Sequence, residues 1–165
     1  MVLMDVDGVM TDGGILFVDG RSEGRIFDVK DGVGVRLLHR MGILTGVISG
    51  RTSPAVRRRT RELRMDEVHL KVGNKLRVYE EILSRRNLPD AEVCFIGDDL
   101  MDLPVLKRVG FSVAVADAHP LVRSASSLVT KAPGGKGAIR EVADLILNAR
   151  GAMGQLVAEY EEPDA

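Results

Sequence analysis

A chain of 165 residues with 45% hydrophobic and 28% charged side chains has the size and composition of one soluble globular domain with a single sizeable core. A formal net charge of −1 supplies no overall attraction to nucleic acid or to an anionic membrane, and 4% aromatic residues without Trp leave little for stacking on single-stranded nucleic acid. The lone Cys94 excludes an internal disulfide, no apolar run approaches the roughly 20 residues that span a bilayer, and no secretory signal pattern precedes the first apolar run, so a cytoplasmic location is expected.

Short apolar runs alternate with helical patterns along the chain. The first strand, Val2–Met4, runs straight into Asp5-Val6-Asp7-Gly8-Val9-Met10-Thr11. If that run is a buried parallel strand, both carboxylates leave its carboxyl end, where open α/β sheets bind ligands. Gly14–Val18 and Arg25–Val29 alternate around Asp19-Gly20-Arg21 and predict a β-hairpin turning near Asp19-Gly20. Emerging beside the acidic pair, the hairpin reads as a flap over residues 14–29; the plainer alternative is an extension of the sheet. Gly34, Leu37, Leu38 and Met41 form a helical stripe that stops at Gly42, and a strand over Leu44–Ile48 ends at Ser49-Gly50-Arg51.

Ser53-Pro54 is a helix start, with the cap residue first and proline at the first helical position. The next strand, Glu67–Leu70, leads to Gly73-Asn74-Lys75 and a helical stripe of Leu76, Tyr79, Ile82 and Leu83. Val93–Ile96 carries Cys94, read as a buried inert thiol, into Gly97-Asp98-Asp99. Gly110 marks another helix stop, Ser112–Val115 and Leu128–Thr130 are the last strands, and Ile139, Val142, Leu145, Ile146 and Ala149 mark the last helix. The chain begins almost on its first strand, so a longer natural N-terminus is expected. Residues 151–165 read as a mobile acidic tail. This rhythm predicts one α/β domain over residues 1–150, a doubly wound parallel sheet with helices on both faces. No insertion is large enough for a separate cap domain.

Two strands that each end in carboxylates suggest one divalent-metal site shared between them. Turn capping by Asp explains one such pair better than two. Ser49 and the amides after it suit an anion at a helix start, and Lys75 suits a phosphate oxygen as a point charge. Alone, Ser49 is an ordinary turn residue and Lys75 a surface charge. Together with the acidic clusters, each falls just after a successive strand.

In order, Asp5-x-Asp7-Gly8-Val9-x-Thr11, Ser49, Lys75 and Gly97-Asp98-Asp99-x-x-Asp102 resemble the four motifs of haloacid-dehalogenase-type phosphatases. Thr11-Asp12-Gly13-Gly14, the hairpin, Asp31-Gly32-x-Gly34, Ser49-Gly50-Arg51 and Val113-Ala114-Val115-Ala116-Asp117-Ala118-His119-Pro120 narrow the resemblance to the 3-deoxy-D-manno-octulosonate 8-phosphate phosphatase branch, from Met1 to about Gly151. The resemblance implies Mg²⁺-dependent hydrolysis of that phosphomonoester in lipopolysaccharide (Kdo) precursor synthesis. It implies that Asp5 attacks phosphorus to give an aspartyl-phosphate, and that Asp7 protonates the leaving oxygen and then activates water. Ser49 and Lys75 would hold phosphate oxygens. The metal ligands implied are the Asp5 and Asp98 side chains and the Asp7 backbone carbonyl. Asp99 and Asp102 either orient Lys75 or metal waters, or are an Asp-rich helix start.

Substrate contacts carry over onto Asp7, Asp28, Val29, Lys30, Asp31, Gly32, Arg36, Arg51, Arg59 and Lys75. Arg51, directly after the Ser49 turn, suits a substrate carboxylate and favours the eight-carbon compound over a nine-carbon keto-sugar acid phosphate. Arg59 reads equally as part of the basic helix face Arg57-Arg58-Arg59, and Arg36 as a surface residue. The family is typically tetrameric, so a homotetramer whose subunits complete each other's sites is expected. Gly134-Gly135-Lys136-Gly137 would either bring a basic group near an adjacent site or form a flexible loop. The competing readings are a non-catalytic oligomerisation module and a phosphorylated signalling receiver. A receiver would put its accepting Asp where this chain has Ser49.

Overall fold

The structure, a computed structural model, describes residues 1–18 and 22–161. In chain order its strands are β1 (Val2–Met4), β2 (Leu16–Val18), β3 (Ser22–Gly24), β4 (Thr45–Ser49), β5 (Glu67–Leu70), β6 (Cys94–Gly97), β7 (Phe111–Ala114) and β8 (Leu128–Val129). Its helices are α1 (Val29–Arg40), α2 (Pro54–Glu62), α3 (Lys75–Arg86), α4 (Leu103–Leu106), α5 (Pro120–Ala125), α6 (Ala138–Ala149) and α7 (Met153–Glu161).

Six strands form one parallel sheet in the order β5-β4-β1-β6-β7-β8. Leu3, Met4, Val47, Ile48, Phe95, Ile96, Val113 and Ala114 are fully buried, because both faces of the sheet are covered. β1 lies between β4 and β6, with Val2 opposite Thr45 on one side and Cys94 on the other. The chain winds outward from β1 through β4 to β5, then crosses back to β6 and continues to β8. That reversal opens a crevice at the carboxyl ends of β1 and its neighbours. Gly34 brings α1 against α6: a Cβ there would lie 3.1 Å from Arg140 Cα. Elsewhere α3 packs on α4, and α4 on α5.

Helix starts follow their side-chain caps. Asp28 accepts from the Lys30 amide at 2.6 Å, Ser53 from Val56 at 3.3 Å and Asn74 from Arg77 at 3.1 Å. Gly42, at φ +70°, turns the chain after α1.

Two expectations are corrected. The hairpin partner of Leu16–Val18 is Ser22–Gly24, not Arg25–Val29, with Phe17 opposite Glu23. Capping by Asp28 draws Val29 into α1 instead. The two strands form their own sheet and do not extend the main one. The expected turn at Asp19-Gly20-Arg21 lies outside the described residues. The segment expected to be a mobile tail is helical over Met153–Glu161. Leu156 is buried, Glu159 pairs with Arg40, and the Arg40 guanidinium lies over the Tyr160 ring; residues 162–165 lie outside the described residues.

Candidate active site

The end of β1 is held by a hydrogen bond from the Asp5 amide to Ile96 O at 3.0 Å. Beyond it, the amides of Val9, Met10 and Thr11 all converge on Val6 O, at 3.2, 2.9 and 3.1 Å. Val6 and Val9 are fully buried, so the turn carrying both carboxylates is anchored in the core. Gly8 has φ +90°, and a Cβ there would sit 2.1 Å from Asp98 Oδ2. A glycine is required for the two acidic segments to meet.

Gly134 is required on the other side, since its Cβ would lie 1.7 Å from Gly8 O. The Gly135 amide donates to Val9 O at 2.8 Å and the Gly134 amide to Asp117 Oδ1 at 2.9 Å. The Gly134–Gly137 loop therefore buttresses the acidic turn of its own chain, which corrects its reading as a flexible loop.

Lys75, at the first position of α3, is buried and bridges two carboxylates. Its Nζ lies 2.9 Å from Asp5 Oδ2 and 2.6 Å from Asp102 Oδ1. The second oxygen of the wholly buried Asp102 accepts from the amides of Asp98 at 2.9 Å and Asp99 at 3.3 Å. Asp102 thus orients Lys75 and shapes the Asp98 turn. Asp99 caps the 3-10 turn Leu100–Asp102 by accepting from the Leu100 amide at 2.7 Å.

Asp5, Asp98 and Asp102 each offer an oxygen within 4.8 Å of the others. These acids share one ammonium. Burial, followed by the charge of Asp102, pushes Asp5 up to about 6 against the pull of Lys75. Burial, then Asp5 and Asp102, pushes Asp98 up to about 8. Burial works against the Lys75 charge, but Asp102 and Asp5 outweigh it and raise its pKa. Asp98 Oδ1 is buried without a hydrogen-bond partner among the described residues. A buried carboxylate oxygen with no donor, in a cluster short of positive charge, fits a hard divalent cation. Asp98 has the free oxygen to hold it, and Asp5 lies beside it with Oδ1 accepting from the Val6 amide at 2.7 Å and Oδ2 facing Lys75; both Asp102 oxygens are tied to Lys75 and the Asp98 turn.

Asp7 faces the flap. Its Oδ1 accepts from Arg25 Nε at 2.7 Å, and its Oδ2 lies 3.9 Å from Arg51 Nε. Glu23 joins both arginines, at 3.3 Å from Arg25 and 3.4 Å from Arg51. Arg25 is absent from the sequence-derived set, because nothing in the hairpin pattern distinguishes it from a solvated strand residue. The one available signal was its spacing of two from Glu23, which puts both on one face of an extended segment. Ser49 is buried at the end of β4, and its Oγ accepts from the Arg51 amide at 3.3 Å.

The other residues expected to bind substrate contact α1, α2 and α6 rather than the carboxylate cluster of their own chain. Asp31 is buried and caps α6, accepting from the amides of Gly137 at 3.3 Å and Arg140 at 2.8 Å, so in this chain it serves the fold. Asp28 caps α1, exposed Val29 starts it, and Lys30 Nζ lies 4.0 Å from Asp28 Oδ2. Gly32 makes room for Arg59: a Cβ there would sit 2.3 Å from the guanidinium. Arg59 reaches Asp28 O at 3.3 Å and Glu62 at 3.0 Å. Arg36 is exposed and, with His39, Arg40, Arg64 and Tyr160, lines a cavity of about 520 Å³.

Residues 39–140 match the haloacid dehalogenase-like hydrolase family. The chain is 40% identical over 151 residues to the 3-deoxy-D-manno-octulosonate 8-phosphate phosphatase KdsC of Escherichia coli, covering 92% of this chain and 80% of that one. Its fold is similar to the crystal structure of a probable YrbI family phosphatase from Pseudomonas syringae, with a TM-score of 0.95, 40% identity, and 98% and 92% of the two chains covered. It is also similar to a 3-deoxy-D-manno-octulosonate 8-phosphate phosphatase from Moraxella catarrhalis crystallised with magnesium, phosphate and KDO, with a TM-score of 0.94, 33% identity, and 96% and 91% covered. No helix among the described residues is long and apolar enough to cross a membrane.

Proposed function

This chain belongs to the haloacid dehalogenase-like hydrolases, in the family of the 3-deoxy-D-manno-octulosonate 8-phosphate phosphatases, and from that premise we propose that it hydrolyses this keto-sugar acid phosphate to the free sugar acid and phosphate with Mg²⁺ as cofactor. The observation that carries the proposal is the cluster of buried Asp5, Lys75 and Asp102 with half-buried Asp98 at the carboxyl ends of β1 and β6, with Asp98 Oδ1 left without a donor among the described residues.

Asp5 is the nucleophile. Its oxygen bonds to phosphorus as the ester P–O bond breaks, and the Asp7 carboxyl gives its proton to the leaving sugar oxygen. The Asp7 carboxylate then takes a proton from water, whose oxygen attacks phosphorus and releases Asp5. Lys75 and Ser49 hold phosphate oxygens, and Asp102 holds Lys75 by its 2.6 Å bond. The Asp5 and Asp98 side chains with the Asp7 backbone carbonyl would hold Mg²⁺, which would supply the positive charge that the acids lack. Arg51, half exposed beside Asp7, is the group for the substrate carboxylate.

The assembly we infer is a homotetramer in which Asp28, Val29, Lys30, Arg36 and Arg59 serve a neighbouring subunit's site, while buried Asp31 and Gly32 shape the helix that carries them. Two observations support it. These residues do not contact the cluster of their own chain, and the apolar side chains Leu16, Phe17, Ile26 and Val29 are more than half exposed around the flap. Light scattering is expected to return four protomer masses; one protomer mass overturns the assembly.

The deciding experiment measures Mg²⁺-dependent phosphate release from 3-deoxy-D-manno-octulosonate 8-phosphate and from a nine-carbon keto-acid phosphate. Preference for the eight-carbon ester is expected. Preference for the nine-carbon ester would keep the chemistry and move the substrate. Turnover of neither would move the protein to a non-catalytic assembly role.

A further inference from the structure

We propose that Arg25 of the flap is a positioning residue for Asp7, holding the carboxylate in the orientation that hands a proton to the leaving group. The inference rests on the phosphatase reading above, since it needs Asp7 to be the proton donor.

Asp7 has no strand ladder to hold it. It lies in the turn beyond β1, and its carboxylate retains some exposure to solvent. What restrains it comes from elsewhere in the chain. Arg25 Nε donates to Asp7 Oδ1 at 2.7 Å, across a sequence separation of 18. The Arg25 side chain is 1% exposed and that of Asp7 21%, so the contact is a partly buried hydrogen bond rather than a free surface contact.

The guanidinium is fixed in turn. Its NH1 donates to Gly24 O at 3.0 Å and its NH2 to Glu23 Oε2 at 3.3 Å. A planar fork held at three points presents its Nε in one direction, which an ammonium on a flexible stem does not do. Among the described residues, the only cation near the second Asp7 oxygen is Arg51, at 3.9 Å and beyond hydrogen-bond distance. Arg25 therefore engages Oδ1 and leaves Oδ2, with no hydrogen-bond donor among the described residues, free for the leaving group. The flap segment thus contributes to the chemistry through Arg25. A reacting group displaced by about 1 Å loses on the order of 10²-fold in rate, so a restraint of this kind has a measurable effect.

Leaving-group chemistry separates this role from simple substrate binding or folding. Benzyl phosphate has an alkoxide leaving group that needs a proton; 4-nitrophenyl phosphate releases a stabilised phenolate that does not. Neither carries a carboxylate. Their kcat/KM values report events through the first phosphoryl transfer, before water attacks. With Mg²⁺ present, Arg25→Gln is expected to lower kcat/KM for benzyl phosphate about 30- to 100-fold and for 4-nitrophenyl phosphate less than about threefold. Arg25→Lys is expected to recover part of the benzyl loss. Asp7→Asn is expected to show the same split more strongly.

Equal losses on the two esters in both Arg25 variants, or no loss on benzyl phosphate, would overturn the positioning role while leaving the phosphatase assignment standing. If Arg25→Gln does not fold, the same split is read from Arg25→Lys against wild type. Absence of phosphate release by the wild-type protein from every ester, the sugar phosphates included, would remove the phosphatase reading instead.

Discussion

Two buried acidic sites in this molecule are built on opposite principles. At the carboxyl ends of β1 and β6, Asp5, Asp98 and Asp102 share the single ammonium of Lys75. On the edge strand β5, the single carboxylate of Glu67 receives Arg85 at 2.5 Å, Arg86 at 2.8 Å and His69 at 2.8 Å. Burial disfavours the charge at both. At Glu67 the three donors outweigh burial and hold the carboxyl down at about 2. At Asp98 burial and its acidic neighbours act in the same direction and raise it to about 8. A structural carboxylate is neutralised by its own chain, whereas the functional cluster keeps a charge deficit that a ligand completes.

The largest effect expected from breaking this contrast is on turnover. Asp5→Asn removes the proposed nucleophile and is expected to abolish phosphate release, at least about 10³-fold, with an unchanged circular dichroism spectrum. Glu67→Gln is expected to stay within about threefold of wild type. Normal turnover in Asp5→Asn would withdraw the nucleophile assignment.

Stability gives the next contrast. Saturating Mg²⁺, at 100 times its Kd, is expected to stabilise the wild-type fold by about 2.7 kcal/mol. Differential scanning calorimetry of Asp98→Asn should show no such shift, while Glu67→Gln keeps it. Without metal, the signs separate. Asp98→Asn, which replaces a carboxyl whose Oδ1 lacks a donor among the described residues and which sits beside Asp5 and Asp102, is expected to melt at or above wild type. Glu67→Gln leaves Arg85, Arg86 and His69 without their carboxylate and is expected to cost about 1–2 kcal/mol, reduced because Arg85 is half exposed.

Acid titration sharpens the comparison further. The pKa of Glu67 is depressed in the folded state, from 4.5 to about 2. Its contribution is therefore fully present above about pH 4.5 and is lost as pH falls toward about 2. Urea midpoints measured across that window should fall more steeply for wild type than for Glu67→Gln; parallel slopes would mean that this carboxylate does not titrate there. The smallest effect is expected for Arg85→Gln, under about 1 kcal/mol by the same assay, because Arg86 and His69 remain on Glu67.

The contrast also shows why one site was legible in the sequence and the flap was not. Asp5 and Asp98 follow strands, Ser49 ends one and Lys75 begins the next helix, so one register rule converges them. The Glu67 site escaped notice because its partners come from the far end of α3, and neither the strand pattern nor the helix stripe carries that pairing. Arg25 escaped because the hairpin pairs Leu16–Val18 with Ser22–Gly24, earlier than the alternation suggested. Asp31, Arg36 and Arg59 were carried by resemblance to substrate, and the fold gives them contacts within α1, α2 and α6.

What the amino-acid order by itself determined was the doubly wound sheet, the Ser53-Pro54 helix start, and the strand-end set Asp5, Asp7, Ser49, Lys75 and Asp98. These follow from local periodicity, turn chemistry and the position of strand ends, all of which act over a few residues. Tertiary structure alone decided that Asp102 spends both oxygens on Lys75 and the Asp98 turn, that Gly134 must lack a side chain to clear Gly8, and that Arg25 reaches Asp7. It also decided that α7 docks through Leu156 instead of remaining a tail. Those outcomes depend on close approach between segments distant in sequence, where sterics and desolvated charge, rather than local preference, set which residues meet.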